Sequence, residues 1–221
     1  MSNIFSSSIG KKLIMSISGL FLVVFLLLHV SINFTAIISE KAYMAACNFM
    51  DTNILIQIMV PVLAAGFAIH IIYSLIITMK NLRARPVSYA VGNEAKASSW
   101  ASRNMFVLGL IVFGFLALHL THFWAKMQLQ HFIGGHPEEA YKLVKELFGT
   151  WYYAAVYVVW VGALYFHLSH GFWSAFQTLG TNNSKWLPRL QCIAKVYAVI
   201  VALGFVSIPV YFLMGLDPLF P

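Results

Sequence analysis

The chain has 221 residues, of which 60% are apolar and only 10% charged, and its formal net charge is +7. This composition is typical of integral membrane proteins and excludes an ordinary soluble domain. Positive charge also suits nucleic-acid binding, but Lys and Arg on cytoplasmic loops account for it in a helical membrane protein. We therefore expect a membrane-lipid environment and no nucleic-acid partner.

Stretches without charged residues predict five transmembrane helices in one all-α membrane domain covering residues 1–221. Each stretch exceeds the roughly 20 residues that a helix needs to cross the hydrocarbon core. The first uncharged run is longer than the apolar part of a signal peptide, so we interpret it as a retained helix. The predicted spans are approximately 13–38, 55–79, 104–128, 152–178 and 193–216.

The basic residues predict the orientation of these helices. With five crossings the two termini lie on opposite sides, and ten of the fourteen Lys and Arg residues fall on the side of the N-terminus. Basic residues accumulate on cytoplasmic loops, which predicts a cytoplasmic N-terminus and an outer C-terminus. The ten residues are Lys11, Lys12, Lys80, Arg83, Arg85, Lys96, Arg103, Lys185, Arg189 and Lys195.

The segment between the third and fourth spans predicts a further, shorter helix. It follows Pro137 in the outer loop, and its apolar residues recur at helical spacing. These residues are Tyr141, Leu143, Val144, Leu147 and Phe148.

Four histidines lie deep inside four different predicted spans: His29, His70, His119 and His167. An imidazole in lipid is costly, so it faces the bundle interior, has a partner and marks function. His29 and His119 each lie about 14 Å below the outer helix end, whereas His70 and His167 lie about 22 Å below it, at 1.5 Å per residue. Two depths with two histidines each predict two bis-histidine haem sites.

Other interpretations of these histidines are a hydrogen-bonded interior role and a zinc site. Zinc usually has three or four protein ligands at one place, whereas here two histidines share each level. The chain contains no Cys-x-x-Cys motif, so covalent haem attachment and iron–sulfur ligation are unsupported. His122 and His170 follow His119 and His167 by three positions and are alternative ligands. Choosing either one would leave the two ligands of its pair at depths that differ by about 4.5 Å.

Several segments resemble the cytochrome b membrane subunit of succinate dehydrogenase and fumarate reductase, in the type with five helices and two haems b. The similarity runs through most of the chain, and its most specific piece is the His-x-x-x-Gly-x-Trp-Ser pattern that starts at His167. The segments are FLLLHVSINF (25–34), ACNFMDTN (46–53), FAIHIIYSL (67–75), FLALHLTHFW (115–124) and YFHLSHGFWSAFQTLG (165–180).

This resemblance implies two haem b cofactors, with His29 and His119 as iron ligands of the outer haem and His70 and His167 of the inner one. It also implies a multi-pass protein of the bacterial cytoplasmic (inner) membrane, and a dimer of complexes is compatible with it. Its partners would be a flavoprotein subunit and an iron–sulfur subunit on the cytoplasmic side, and the dicarboxylate active site would lie on a partner subunit. The loops expected to receive the latter contain Arg83, Arg85, Lys96, Arg189 and Lys195.

The resemblance further implies a quinone site, most often for menaquinone, near the outer haem. Asn33, Asp51 and His122 are the candidate contacts, although Asp51 would equally suit a solvated acid or cap at the start of the second helix. Propionate contacts are expected from Lys11, Lys12, Arg103 and His170, and the three cations would equally suit simple membrane anchors.

Two alternative functions follow from the same residues. The chain could be the dihaem subunit of another respiratory enzyme, but those families often place two of the ligand histidines on one helix, and here the four deep histidines are spread one per helix. It could also be a cofactor-free transporter or structural protein, but its spans contain no paired carboxylates or strongly interrupted half-helices.

Overall fold

The computed structural model describes residues 7–84, 99–181, 183–216 and 218–220. These residues form helices and connecting turns, with one isolated β-bridge between Ser39 and Phe220. Five helices are long and apolar enough to cross a membrane. The predicted all-α fold and the number of spans are thus confirmed by helix length and composition. Arg85 and Lys96, predicted to contact a partner subunit, lie outside the described residues.

The long helices extend beyond several of the predicted spans, because polar terminal turns continue a helix outside its apolar stretch. They are α1 (Ser8–Ile38), α3 (Ile54–Arg83), α5 (Met105–His119), α8 (Trp151–Thr178) and α9 (Trp186–Leu213). The short helices are α2 (Glu40–Thr52), α4 (Trp100–Arg103), α6 (Gln128–Ile133) and α7 (Ala140–Phe148). A π-helical turn, Leu120–Trp124, continues α5.

Single capping residues join the first three helices. Ser39 ends α1, and its hydroxyl accepts a hydrogen bond from Ala42 N at 3.4 Å to begin α2. Asn53 ends α2, and its side chain accepts from Leu55 N at 2.9 Å to begin α3. Such caps satisfy amide groups that have no partner inside the helix. The role of cap therefore belongs to Asn53, and Asp51 lies in the last turn of α2.

The most extensive packing joins α8 to α9, and α1 packs against α3, α8 and α9. Ala194 and Ala198 of α9 are fully buried, and small residues let membrane helices approach closely. The Tyr197 hydroxyl donates to the Val23 carbonyl at 2.6 Å and links α9 to α1. The buried core between these three helices consists of Val23, Val30, Leu164, Leu168, Ala198 and Val201.

By contrast, α3 and α5 lie at the edge of the bundle. Gly66 is the buried residue of α3, and Leu108 is the buried residue of α5. In the described part of the chain α3 packs mainly on α1, and α5 mainly on α8. Neither α1 with α5 nor α3 with α8 is among the closely packed pairs. These two helix pairs carry the four deep histidines.

The short helices α2, α6 and α7 gather at one end of the bundle, which we call the α2 end; α1, α5 and α9 begin at the opposite end. The predicted amphipathic helix is confirmed as α7, and its buried face contacts α2 and α9. Tyr141 of α7, for example, packs against Tyr43 and Phe212. The C-terminal tail also lies here, where Leu219 N donates to Ile37 O.

Candidate functional site

The structure brings the four deep histidines together in two pairs. The imidazole rings of His29 (α1) and His119 (α5) have centres 5.7 Å apart and planes 89° apart. The rings of His70 (α3) and His167 (α8) have centres 6.4 Å apart and planes 76° apart. These are the pairs that the depth arithmetic matched, and each joins two helices that do not pack closely.

Both separations suit one metal atom between two imidazoles. A nitrogen–metal bond is about 2 Å long and the nitrogen lies about 1 Å from the ring centre, so opposed ligands place their ring centres roughly 6 Å apart. Rings in ordinary edge-to-face contact have their centres about 4.5–7 Å apart, so the separations alone fit both direct packing and ligation. Nearly perpendicular planes at this distance are compatible with ligation from two sides.

The two pairs lie at well-separated levels of the bundle, as two helices show independently. On α1, Gly19 faces His70 and lies ten positions before His29. On α8, Tyr157 contacts the His119 ring at 6.3 Å and lies ten positions before His167. Ten helical residues correspond to about 15 Å. The sequence arithmetic implied about 8 Å, because it measured depth from helix ends placed without knowledge of the short helices.

One nitrogen in each pair is buried and has no hydrogen-bond partner among the described residues. These atoms are Nδ1 of His119 and Nδ1 of His167. A buried polar atom without a partner is costly and calls for an explanation such as a ligand or ion. Two such atoms, one per pair, fit histidines that bind a group absent from the polypeptide itself.

The other imidazole of each pair has a polar neighbour on its own or an adjacent helix. Asn33 Nδ2 lies 3.4 Å from His29 Nδ1 and donates to the His29 carbonyl at 2.8 Å. Ser18 Oγ lies 3.5 Å from His70 Nδ1. Partners of this kind orient metal-binding imidazoles. Asn33, predicted as a quinone contact, thus lies against a proposed ligand, and Ser18 is a neighbour that the sequence analysis missed.

The donor set decides which kind of metal group fits. Among the described residues no group of three or more His, Cys, Asp or Glu side chains could hold a metal ion. Zinc bound by protein alone needs more ligands than two histidines provide. Haem iron carries its four equatorial nitrogens in the porphyrin and needs only axial ligands from the protein. The residues present therefore fit haem better than a bare metal ion.

Two glycines face the His70/His167 pair, and they form a spacing pattern that was not predicted from the sequence. A Cβ on Gly19 would lie 3.2 Å from His70 Cε1, and a Cβ on Gly109 would lie 3.8 Å from His167 Cε1. Gly109 also precedes His119 by ten positions, as Gly19 precedes His29. Helices α1 and α5 each contribute a glycine to one pair and a histidine to the other. The repeated Gly-x9-His spacing is the signal that could have revealed this.

The alternative ligands His122 and His170 have ring partners other than the paired histidines. His122 lies in the π-turn and contacts α8, where its Nδ1 is 3.1 Å from the Tyr157 hydroxyl. His170 packs edge-on against Trp173, with ring centres 4.8 Å apart, and its Nδ1 is buried without a hydrogen-bond partner in the described chain. His119 and His122 both contact Tyr157, in agreement with their expected positions on neighbouring parts of one helix.

Asp51 belongs to a polar cluster at the α2 end that joins α2, α3 and α6. Its carboxylate lies 3.7 Å from His131 Nε2, and its carbonyl accepts from Gln57 Nε2 at 3.1 Å. Gln128 Nε2 in turn donates to Gln57 Oε1 at 2.9 Å. Of this cluster only Asp51 was predicted from the sequence as a site residue; His131 and the two glutamines were not.

The cationic propionate candidates all lie near the opposite end of the bundle. Lys12 and Arg103 are exposed, and Lys11 is partly buried beside Lys80 of α3. Adjacent ammonium groups repel each other, so this place favours a bound anion. Lys80 adds to the predicted set, and the propionate contacts stay predictions.

We expect the ionised form of Asp51 to destabilise the folded protein, whereas the ionised form of most acids in proteins stabilises it. Burial raises the pKa of the Asp51 carboxyl, and the positive charge that His131 can carry only partly offsets this. The charged form therefore costs folding free energy above the raised pKa, and this cost disappears as the pH falls through it. The carboxylate also lies near the C-terminus of α2, where negative charge is unfavourable.

Asp51→Asn should accordingly be more stable than the wild type at pH 7.5, with a difference that shrinks steadily towards pH 4. Thermal unfolding of the detergent-purified protein across this range measures it. Glu40→Gln is a control of opposite sign: this exposed acid lies in the first turn of the same helix, where its charge is favourable, so the variant should be slightly less stable at pH 7.5. A less stable Asp51→Asn protein at pH 7.5 would mean that the ion pair with His131 outweighs burial.

In comparisons with protein-family models, curated proteins and solved structures, none matches this chain. Its assignment to a family therefore depends on the sequence motifs and on the geometry described above.

Proposed function

We propose that this chain is a dihaem cytochrome b that carries electrons across part of the membrane. The observation that carries the proposal is the presence of two facing imidazole pairs, His29 with His119 and His70 with His167. Their separations suit bis-histidine ligation, and each pair contains a buried nitrogen without a partner. Haem supplies one-electron redox chemistry when bound.

The residues of the chain would hold the two groups and keep water away from them. Aromatic side chains surround the His29/His119 pair. Phe25 stacks on His29 at 5.2 Å, and Phe115 and Phe123 contact His119. Such an apolar shell lowers the local dielectric and limits solvent access, which are main determinants of haem potential. The spacing of about 15 Å between the levels keeps the two sites distinct.

We further propose that the chain is the membrane anchor of a succinate:quinone oxidoreductase, with a flavoprotein and an iron–sulfur subunit as partners. The sequence segments around the four histidines support this assignment. The basic residues support a cytoplasmic location for the end where α1 begins, which would face the partners. The α2 end would then face outward, and its Asp51 cluster would lie where a quinone could exchange protons with water.

The visible spectrum of the purified protein tests the first step of this proposal. We expect the full chain, produced with its membrane partners, to show reduced-minus-oxidised bands of b-type haem and two haems per chain. A transporter or structural protein would be colourless, and a single haem per chain would contradict the two-site arrangement. His136, which is exposed, provides a neutral His→Ala control for the measurement.

Co-purification tests the second step and separates the candidate complexes. The assigned complex should contain a flavoprotein and an iron–sulfur protein, and succinate should reduce its haems. Reduction by hydrogen, or oxidation by nitrate, without any response to succinate would instead identify the alternative, a dihaem subunit of another respiratory enzyme.

A further inference from the structure

The π-helical turn directly after His119 sets the direction of a second histidine. Ala125 N donates to Leu120 O at 2.8 Å, the five-residue spacing of a π-turn. Such turns are rare within α-helices and occur frequently at functional sites. A regular helix would keep residues three positions apart on nearly one face. Here His119 faces His29, and Tyr157 of α8 contacts both His119 and His122.

The hydrogen bond between His122 and Tyr157 fixes which ring nitrogen carries the proton. Tyr157 is buried, and His122 Nδ1, at 3.1 Å, is the hydrogen-bond partner of its hydroxyl within the described chain. If Nδ1 donated, the phenolic proton would be left without an acceptor in a buried place, which is unfavourable. The hydroxyl therefore donates to Nδ1, and neutral His122 carries its proton on Nε2.

Tyr157 is well placed to hold this arrangement because aromatic rings surround it. Its ring contacts Phe115 of α5 at 5.0 Å and Phe148 of α7 at 4.9 Å. The rings of His122 and Tyr157 are nearly parallel, with centres 6.0 Å apart, and Tyr153 contacts His122 edge-on at 5.1 Å. The imidazole is thus held from the α8 side and is only partly buried.

The Nε2–H group of His122 has no hydrogen-bond partner among the described residues. It lies one turn from the proposed ligand His119, on the side of the α2 end. Lys126, one turn further on, forms an ion pair with Glu138 at 3.3 Å. A fixed N–H donor suits an acceptor oxygen with negative charge or partial negative charge.

We propose that His122 donates a hydrogen bond through Nε2–H to an acceptor oxygen of a ligand bound beside the His29/His119 pair, and that Tyr157 is the positioning residue that sets this donor. The inference rests on the proposed function, which supplies two sources of such an oxygen: a quinone carbonyl and a haem propionate. In either case His122 acts as a donor and does not bind the iron.

The test uses three variants in the complete complex, His122→Gln, His122→Leu and Tyr157→Phe, with a soluble naphthoquinol as the probe. Gln keeps an N–H donor near the position of Nε2–H and should behave almost as the wild type. Leu removes the donor, and losing one such hydrogen bond corresponds to roughly a tenfold effect. For a quinone carbonyl this appears as a raised KM with unchanged haem spectra. For a propionate it appears as a shifted potential of one haem.

Tyr157→Phe frees the tautomer of His122 and should give a smaller effect of the same kind as His122→Leu. Tyr153→Phe is the matched control, because Tyr153 contacts His122 through its ring edge only. Wild-type KM and wild-type potentials in His122→Leu would overturn the inference, and so would the loss of a haem. A wild-type Tyr157→Phe beside an affected His122→Leu would overturn the role of Tyr157. A colourless wild-type complex would instead reject the proposed function itself.

Discussion

Alanine at either histidine of a pair is expected to reduce the proposed haem content from two per chain to one. Without its second axial ligand, a haem loses a bond that the surrounding apolar side chains cannot replace. His29→Ala and His119→Ala should remove the same spectral component, and His70→Ala and His167→Ala the other. Pyridine haemochrome analysis of the purified chain gives the haem count, and low-temperature difference spectra separate the components.

Double variants make this prediction sharper, because they test which histidines act together. Substitutions more than about 10 Å apart usually have additive effects, whereas residues that share one interaction do not. His29→Ala combined with His119→Ala should therefore still retain one haem per chain. His29→Ala combined with His70→Ala should retain none. The opposite outcome would show that the paired rings of the structure are not the functional pairs.

Two single variants check the choice of ligands. His122→Ala and His170→Ala should each keep two haems, since the structure places these rings against Tyr157 and Trp173. If one of them lost a haem while its neighbour three positions earlier did not, the ligand would have been misassigned.

The sequence predicted the main outline of the fold because that outline depends on hydropathy. Five uncharged stretches predicted five helices, and each is present as a long helix. The amphipathic spacing after Pro137 predicted α7, whose apolar residues are indeed those that pack on the bundle. The histidine pairs also followed from the sequence, because residue counts along antiparallel helices convert directly into depth.

Other features depend on tertiary contacts and could not be predicted. Helix α2 has a mixed sequence outside the uncharged stretches, and it forms between two capping residues, Ser39 and Asn53. The π-turn leaves no mark in the hydropathy of α5, although it contains His122. The neighbours of Asp51 come from α3 and α6, so their contact with it emerges only once these helices pack together.

Valine at Gly19 is expected to remove the haem proposed between His70 and His167, although position 19 contributes no ligand. A Cβ there would lie 3.2 Å from Cε1 and 3.4 Å from Nδ1 of the His70 ring. The further methyl groups of valine would need space that the ring occupies, and overpacking of this kind displaces side chains and backbone. The displaced imidazole could no longer bind iron together with its partner on α8.

A graded series of glycine substitutions shows whether haem loss results from crowding of the histidine ring or merely from the loss of a glycine. Gly19→Ala should weaken haem retention only in part, because a single methyl requires a shift of a few tenths of an ångström. Gly109→Ala should retain both haems, since its Cβ would lie at the ordinary contact distance of 3.8 Å from His167. Gly114→Val, where no atom lies within 4 Å, is the matched control for β-branching in a membrane helix.

The other haem provides an internal standard for the same experiment. His29 lies ten positions from Gly19, about 15 Å along α1, so its pair should be undisturbed and its spectral component should persist. Loss of both components in Gly19→Val would indicate general misfolding. The same loss in Gly114→Val would show that β-branching in a membrane helix is the cause. Retention of both components would mean that His70 has room to move, and that the glycine is not needed for the site.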